Sequence, residues 1–434
     1  MRNRPLQPGP SSNGPSSNGS PSSGSSSDET SGRPSRSSGG GATGIGGTGR
    51  AEPALLKRVN ARHVLDALLE FGPCTRTALR NHTGISAPTM SKLMDHLAGT
   101  GLVEAASEPL LTAGRPSKVF RLACDTARIL GVVIDIDSTK VFSCGLDGCV
   151  ADEAVRVIDT PRTYGELLSE IARVARDLGE EHPALCLGAG VSVPGLFNAR
   201  EGRVMLSPNL RFLNGAQLAA DLEQRLEVAT IAFQEERALC LAEQIFGAAR
   251  ELEDFAMIDI SAGLGMGVVS GGRFVGGRDG YGGELGHITV DPRGERCGCG
   301  NRGCLETVAT DRVFARIVEG KAGRPVSVDE AIDLVRRGEI RAGRELARMT
   351  DFLARGLGIV INLFNPAGVF VHGRLFDARE GLFDDLISAV ESHALRPSLA
   401  ASRIIRARGS KKQGAAATII SHLFRSAGPS IRGS

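Results

Sequence analysis

Between residues 283 and 306 the chain reads Gly283-Glu-Leu-Gly-His287-Ile-Thr-Val-Asp-Pro-Arg-Gly-Glu-Arg-Cys297-Gly-Cys299-Gly-Asn-Arg-Gly-Cys304-Leu-Glu306, which gathers one imidazole and three thiols within eighteen residues. Thiolate sulfur and imidazole nitrogen are the preferred donors of tetrahedral Zn²⁺. A closed Cys₃His shell leaves no open position for water, so His287, Cys297, Cys299 and Cys304 are expected to hold a structural zinc rather than a hydrolytic one. Cys-x-Cys with repeated glycines and an upstream His matches a metal knuckle better than a transient disulfide or redox switch. Glu284 and Glu306 bracket the four ligands, and a metal that knots this segment would bring both carboxylates together as a polar binding surface.

The elements that must position these residues are constrained by composition. The chain has 434 residues, 41% of them hydrophobic, enough for two or three domains with proper cores. It has no Trp and only two Tyr, which argues against nucleic-acid binding by aromatic stacking. Nine cysteines, an odd number, fit a reducing compartment and a metal rather than a disulfide framework. No apolar run reaches the roughly 18 residues of a membrane span and the N-terminus lacks the apolar core of a signal peptide, so a cytoplasmic protein without a membrane partner is expected. The net charge of +2 hides an asymmetry. Residues 1–50 carry five Arg against Asp28 and Glu29, residues 51–122 carry nine Lys and Arg against six Asp and Glu, and the remainder is acidic. A basic front on an acidic body suits a polyanionic partner.

Residues 1–50 are mostly Gly, Ser, Pro, Asn and Arg, too poor in apolar side chains to offset ordering entropy, and should form a disordered arm. From Asn60 three short helices follow. Val64, Leu65, Leu68 and Leu69 form the first stripe, ended by Gly72-Pro73. Thr75 caps a second helix to about Asn81. Ser86 caps a third, with Met90, Leu93, Met94 and Leu97 facing inward until Gly101. The tight Thr-Gly-Ile-Ser connection is the turn of a helix-turn-helix. Leu102-Val-Glu104 and Lys118-Val-Phe-Arg-Leu122 read as two strands around a loop with Gly114-Arg115-Pro116, completing a winged helix-turn-helix over residues 51–122. In that geometry Ala87, Thr89, Ser91 and Lys92 reach double-stranded DNA from the third helix, Arg76 and Arg80 meet phosphates, and Arg115 enters the minor groove.

Beyond Ala123 the pattern is α/β. Strands are expected at Ile129 to Asp137, Val141 to Leu146 and Cys186 onward, with a helix from Tyr164 to Leu178. A similar series begins at Met257 and continues through a long helix near Gly343 to Leu363 and a strand at Gly368 to His372. Two α/β lobes with a cleft between them follow, and ligands in such folds sit beyond the carboxyl ends of the strands. These lobes fill residues 123–426, leaving a flexible tail at 427–434.

The zinc segment, the winged helix-turn-helix in front of it and the two lobes together resemble the ROK family of sugar kinases and repressors, which has an actin/hexokinase-like fold. The resemblance is to the repressor branch, typified by xylose and N-acetylglucosamine repressors. It implies that sugar hydroxyls are held at Asn209 (in Ser207-Pro208-Asn209-Leu210), Glu284, His287 and Glu306, and at the family's catalytic Asn-Asp pair, which here reads Gln234-Glu235. The family's first phosphate loop, Asp-Ile-Gly-Gly-Thr, reads Asp135-Ile-Asp137-Ser-Thr139. A carboxylate therefore stands where a phosphate should lie. Glu235 at the catalytic Asp position displaces its carboxylate by about 1 to 1.5 Å, a shift worth on the order of 100-fold in rate. Gly263-Leu-Gly265-Met-Gly267 and Gly373 correspond to further phosphate and adenosine motifs, read as inherited structure.

The expectation is thus a DNA-binding repressor of carbohydrate genes with a sugar or sugar-like effector and without catalytic residues. It would act as a homodimer or homotetramer, with a phosphotransfer-system protein as a further partner. The rival is an ATP-dependent sugar kinase with an appended DNA-binding domain.

Overall fold

The computed structural model describes residues 53–106 and 118–428, so the N-terminal arm, the wing loop with Arg115 and residues 429–434 lie outside the described residues. The front region comprises α1 (Pro53–Phe71), β1 (Cys74–Thr75), α2 (Arg76–Thr83), α3 (Ala87–Gly99), β2 (Val103–Ala105) and β3 (Val119–Leu122). Val64, Leu65 and Leu68 of α1 are buried against Leu79 of α2 and against Met90, Leu93, Met94 and Leu97 of α3. The stripe positions are those expected from the sequence. The start of α1 is not: it begins seven residues before Asn60, where Leu55, Leu56 and Val59 are exposed and leave no amphipathic signature.

Thr75 caps α2 by accepting from the Ala78 amide at 3.1 Å. Ser86 stands at the N-cap of α3, but its hydroxyl bonds the Thr89 hydroxyl at 3.0 Å rather than a backbone amide, which corrects its expected role as a side-chain cap. The short β1 adds a strand that the sequence did not suggest, pairing antiparallel with β3 in the order β1-β3-β2.

The first lobe contains β4 (Ala127–Ile134), β5 (Ser138–Cys144), β6 (Val155–Asp159), α4 (Tyr164–Glu181), β7 (Leu185–Val193), the hairpin β8 (Leu196–Asn198) and β9 (Arg203–Leu206), α5 (Leu218–Leu226), β10 (Thr230–Gln234) and α6 (Glu235–Ile245). The second has β11 (Phe255–Asp259), β12 (Gly265–Ser270), β13 (Arg273–Phe274), α7 (Asp311–Ala322), α8 (Val328–Arg336), α9 (Gly343–Phe364), β14 (Gly368–His372), α10 (Leu382–Val390), α11 (Arg396–Ala401) and β15 (Arg403–Arg406). The chain then returns to the first lobe with α12 (Lys411–Ser426).

The two five-stranded sheets repeat one plan. The first runs β6-β5-β4-β7-β10 and the second β13-β12-β11-β14-β15. In each, the leading strand pairs antiparallel with the next strand and parallel with the one that returns through a helix. Helix α12 packs on β7 so closely that a Cβ at Gly190 would lie 2.0 Å from the Ala415 carbonyl oxygen, which is why that strand position is glycine.

The apolar core does not stop at residue 122. One buried cluster joins Leu65 of α1 and Leu102 to Ile129 of β4 and to Ile419, Leu423 and Phe424 of α12. At this join Glu104 is buried and accepts hydrogen bonds from Arg121 Nε at 2.8 Å, from the Thr126 amide at 2.8 Å and from the Thr126 hydroxyl at 2.7 Å. No helix among the described residues is long and apolar enough to cross a membrane.

Candidate functional site

Two short 3₁₀ turns, Leu285–His287 and Leu305–Thr307, aim the ends of the cysteine-rich segment at each other, and Thr289 bridges to Cys304. The donor atoms of His287, Cys297, Cys299 and Cys304 consequently lie within 4.8 Å of one another. A tetrahedral ion with metal–sulfur bonds of about 2.3 Å would set its sulfurs about 3.8 Å apart. Cys299 Sγ and Cys304 Sγ are 3.7 Å apart, and Cys297 Sγ is 3.6 Å from His287 Nδ1. The donor set therefore fits a metal ion. With Nδ1 facing the thiols, Nε2 of the same ring faces Glu284 Oε2 at 3.7 Å, so the ring has one edge toward the ion site and one toward a carboxylate.

Glu306 Oε1 lies 3.6 Å from His287 Nδ1 and accepts from Cys297 Sγ at 2.9 Å. Gln234 Nε2 donates to Glu284 Oε1 at 3.4 Å. Gln234, Glu284, His287 and Glu306 thus form one polar group beside the three cysteines. Asn209 is exposed, and its neighbour Pro208 comes within 4.0 Å of a Cβ built on Gly298, which places the Ser207-Pro-Asn-Leu segment at the knuckle's side.

Glu235 goes elsewhere. It accepts from Lys411 Nζ at 2.9 Å, and the same ammonium reaches Asp135 at 3.3 Å and Asp259 at 3.6 Å. Asp135 follows β4, Glu235 follows β10 and Asp259 ends β11, so one lysine ties the carboxyl ends of both sheets. The lysine is held in place through Ser410 and Gln413, which form a reciprocal capping box at the start of α12. Buried Glu243 adds to this by accepting from the Arg408 and Gly409 amides at 3.1 and 3.0 Å. Burial works against the ammonium, but the three carboxylates hold its pKa well above the ordinary lysine value. Asp259, despite burial, is held well below the usual carboxylate range by Lys411 and by His372, whose Nδ1 lies 2.8 Å away. Burial raises Glu235 to about 7, assisted by Asp259 and Asp135 and opposed by Lys411. Asp137, the residue expected to obstruct a phosphate, is exposed.

The sequence reading missed Lys411 and Asp259. The Ser410-x-x-Gln413 pattern marks the helix start, but no local signal says that the lysine turns inward. The glycines of the second glycine-rich element have a packing duty here: a Cβ at Gly265 would meet the Glu236 carboxylate at 1.7 Å, so α6 lies directly on β12.

Glu236 has a carboxylate oxygen buried without a hydrogen-bond partner among the described residues, and burial with the adjacent Glu235 raises its pKa to about 8. A carboxyl whose folded pKa lies above its unfolded value binds its proton more tightly in the native state. Its contribution to stability is present in acid and is lost as pH rises from about 4.5 through 8, with a slope of up to about 1.4 kcal/mol per pH unit. Glu236→Gln, which keeps the shape without the charge, is expected to flatten that part of the curve in urea denaturation between pH 5 and 9. An unchanged slope would show that Glu236 is not the titrating group.

In the front region, Ala87, Thr89 and Lys92 on α3 and Arg80 on α2 are exposed, and Ser91 is half-buried. Arg76 is engaged within the protein: its guanidinium pairs with Asp95 at 2.6 Å and lies 5.0 Å from the centre of the Phe120 ring. It is therefore placed as a brace between α2, α3 and β3.

A protein-family model described as "ROK family" matches residues 132–421. The DNA-binding transcriptional dual regulator NagC of Escherichia coli is 28% identical over 354 residues, which cover 79% of this chain and 87% of the relative. A glucokinase of Thermotoga maritima is 31% identical over 287 residues, 62% of this chain and 88% of the relative. Among solved structures, a ROK family transcriptional regulator described as a homologue of the E. coli MLC protein matches with a TM-score of 0.70 at 24% identity, over 86% of this chain and 97% of that one. At that identity the structural likeness speaks for the fold alone. The match to the regulator takes in more of the chain than the match to the kinase.

Proposed function

The chain belongs to the ROK family, and from that footing we propose that it is a DNA-binding transcriptional regulator. In this reading it represses genes of carbohydrate uptake or use, responds to a sugar or sugar derivative, and has no sugar kinase activity. The observation that carries the reading is Lys411, whose ammonium is locked between Asp135, Glu235 and Asp259. A carboxylate at the family's catalytic position that already holds a buried ammonium is a poor acceptor for a sugar hydroxyl proton. The same ammonium fills the space between the first phosphate loop and that carboxylate.

Residues 51–122 act as a winged helix-turn-helix with α3 in the major groove, and residues 123–426 as the sensing body. Ala87, Thr89, Ser91 and Lys92 face base edges, Arg80 faces phosphates, and Arg115 belongs to the same reading through its place in the wing. Zn²⁺ on His287, Cys297, Cys299 and Cys304 orients Glu284, His287 and Glu306 toward sugar hydroxyls, with Asn209 and Gln234 completing the polar set.

Helix α12 supplies a physical route from cleft to DNA. Lys411 stands at its first position in the cleft, and fourteen residues on, the Arg425 carbonyl accepts from Arg58 Nε and Nη2 of α1 at 3.3 and 3.1 Å. At 1.5 Å per residue that is a rigid span of roughly 21 Å. A change in lobe angle on effector binding would move α1, and with it the spacing of the two α3 helices in a dimer.

A band-shift titration of the purified chain against its own upstream region is expected to show binding at least about 1,000-fold tighter than to random duplex at physiological salt. A coupled assay over common hexoses with ATP should show no turnover. Equal affinity for random DNA, or turnover near 1 s⁻¹, would favour the kinase reading instead.

A further inference from the structure

A cavity of about 620 Å³ lies apart from the polar group beside the cysteine cluster, between α1, α6, α12, β8 and the β12–β13 turn. Its volume lies in the range of small-ligand sites. Seven arginines line it, Arg62, Arg200, Arg237, Arg250, Arg273, Arg278 and Arg425, against one carboxylate, Asp279. Arg62 pairs with Asp66 and Arg278 with Asp279, whereas the other five form no ion pair among the described residues.

Arg237 is the best positioned of these. Its guanidinium is stacked on the Phe233 ring at 3.7 Å and lies 5.4 Å from the Phe274 ring, so its plane is held, and its N–H donors find no acceptor among the described residues. Arg425, braced by the Ser421 hydroxyl and carbonyl, contributes a second guanidinium. Burial together with the Arg425 charge lowers the pKa of Arg237, and burial together with the Arg62 charge lowers that of Arg425. The cavity therefore brings the Arg237 and Arg425 charges together, and an anion between them would relieve their repulsion. Planar guanidiniums bind phosphoryl oxygens in pairs of parallel hydrogen bonds, and several converging forks select a multiply charged phosphate over a single carboxylate.

We propose that this cavity is a binding site for a small phosphorylated ligand carrying at least two negative charges, with Arg237 and Arg425 as its central contacts. It is separate from the sugar site of the preceding reading and shares only Gln234 with it. Because its walls include α1, its occupant would clamp the front region to α6 and α12.

Isothermal titration of the full chain with fructose 1,6-bisphosphate at physiological salt tests the site. One saturable site per chain is expected. Arg237→Gln and Arg273→Gln should each weaken it at least tenfold, whereas Arg176→Gln, an exposed arginine of α4 outside the cavity, leaves it unchanged. Arg273 is exposed and has no ion-pair partner among the described residues, so its replacement tests the site without threatening the fold. Fructose at the same concentration should not compete. Three results would each overturn the proposal: absence of saturable binding, competition by fructose, or equal weakening by Arg176→Gln and Arg273→Gln. The last would mean diffuse charge attraction.

Discussion

Lys411→Met should lower the stability of the protein by about 3–5 kcal/mol at pH 8, the range found when one partner of a buried charge cluster is removed. The ammonium is almost enclosed and sits 2.9 to 3.6 Å from three carboxylates on two sheets. A lysine at the first position of a helix opposes the helix dipole, so its presence there depends on those partners. Methionine keeps the length and apolar stem but leaves Asp135, Glu235 and Asp259 facing one another. The sign of the pH dependence follows from the partners. Glu235, already raised to about 7, takes up a proton first, so the penalty should shrink between pH 8 and pH 6. Asp259, held low in the intact protein, has a depressed folded pKa, so its part of the stabilisation is present above the unfolded carboxylate pKa and is lost in acid. Urea denaturation of the single variant and of Lys411→Met with Glu235→Gln checks this. Recovery of more than about 1 kcal/mol by the second change is expected, because one buried charge has been removed. If the double variant is no more stable than the single one, the charge cluster is not what holds the lobes.

Cys299→Ser is expected to release the metal and lower Tm by at least about 5 °C, several times what an ordinary exposed substitution does. Cys299 is exposed, so exchanging sulfur for oxygen there opens no core cavity and, without an ion, should change stability by less than about 0.5 kcal/mol. With a tetrahedral Zn²⁺ the same exchange removes a thiolate ligand, and the binding free energy of the ion is folding free energy. Elemental analysis should find about one zinc per chain in the intact protein and well under half of that in the variant. A variant with unchanged Tm and metal content would remove the structural-zinc claim.

The His and Cys cluster was legible in the sequence because its constraints are local. Four ligands within eighteen residues, separated by glycines that let the backbone fold tightly, have few other ways to satisfy their chemistry. The buried stripes of α1 and α3 were legible for a similar reason, since the spacing of Val64, Leu65, Met90, Leu93 and Leu97 reports which face is buried whatever lies beyond. The start of α1 was not, because its first turns are exposed and carry no such spacing. The division after residue 122 was drawn from a change of pattern, and pattern says nothing about whether two regions share a core.

The sequence by itself determined the family resemblance, the donor set for the metal, the alternation of strands and helices in two lobes, and the exposed face of α3. Each of these follows from periodicity or from residues close together in the chain. Only the tertiary structure decided that Glu235 belongs to a lysine cluster while Gln234 belongs to the polar group beside the metal. Only it placed Arg76 on Asp95 rather than free toward DNA, and only it brought arginines from six separate segments around one cavity. The contact between Lys411 and Asp135 alone joins residues 276 positions apart. The lysine cluster arises because α12 packs against the first sheet after the chain has completed the second, and hydrophobic spacing says that a helix is buried without saying which charges its ends will meet.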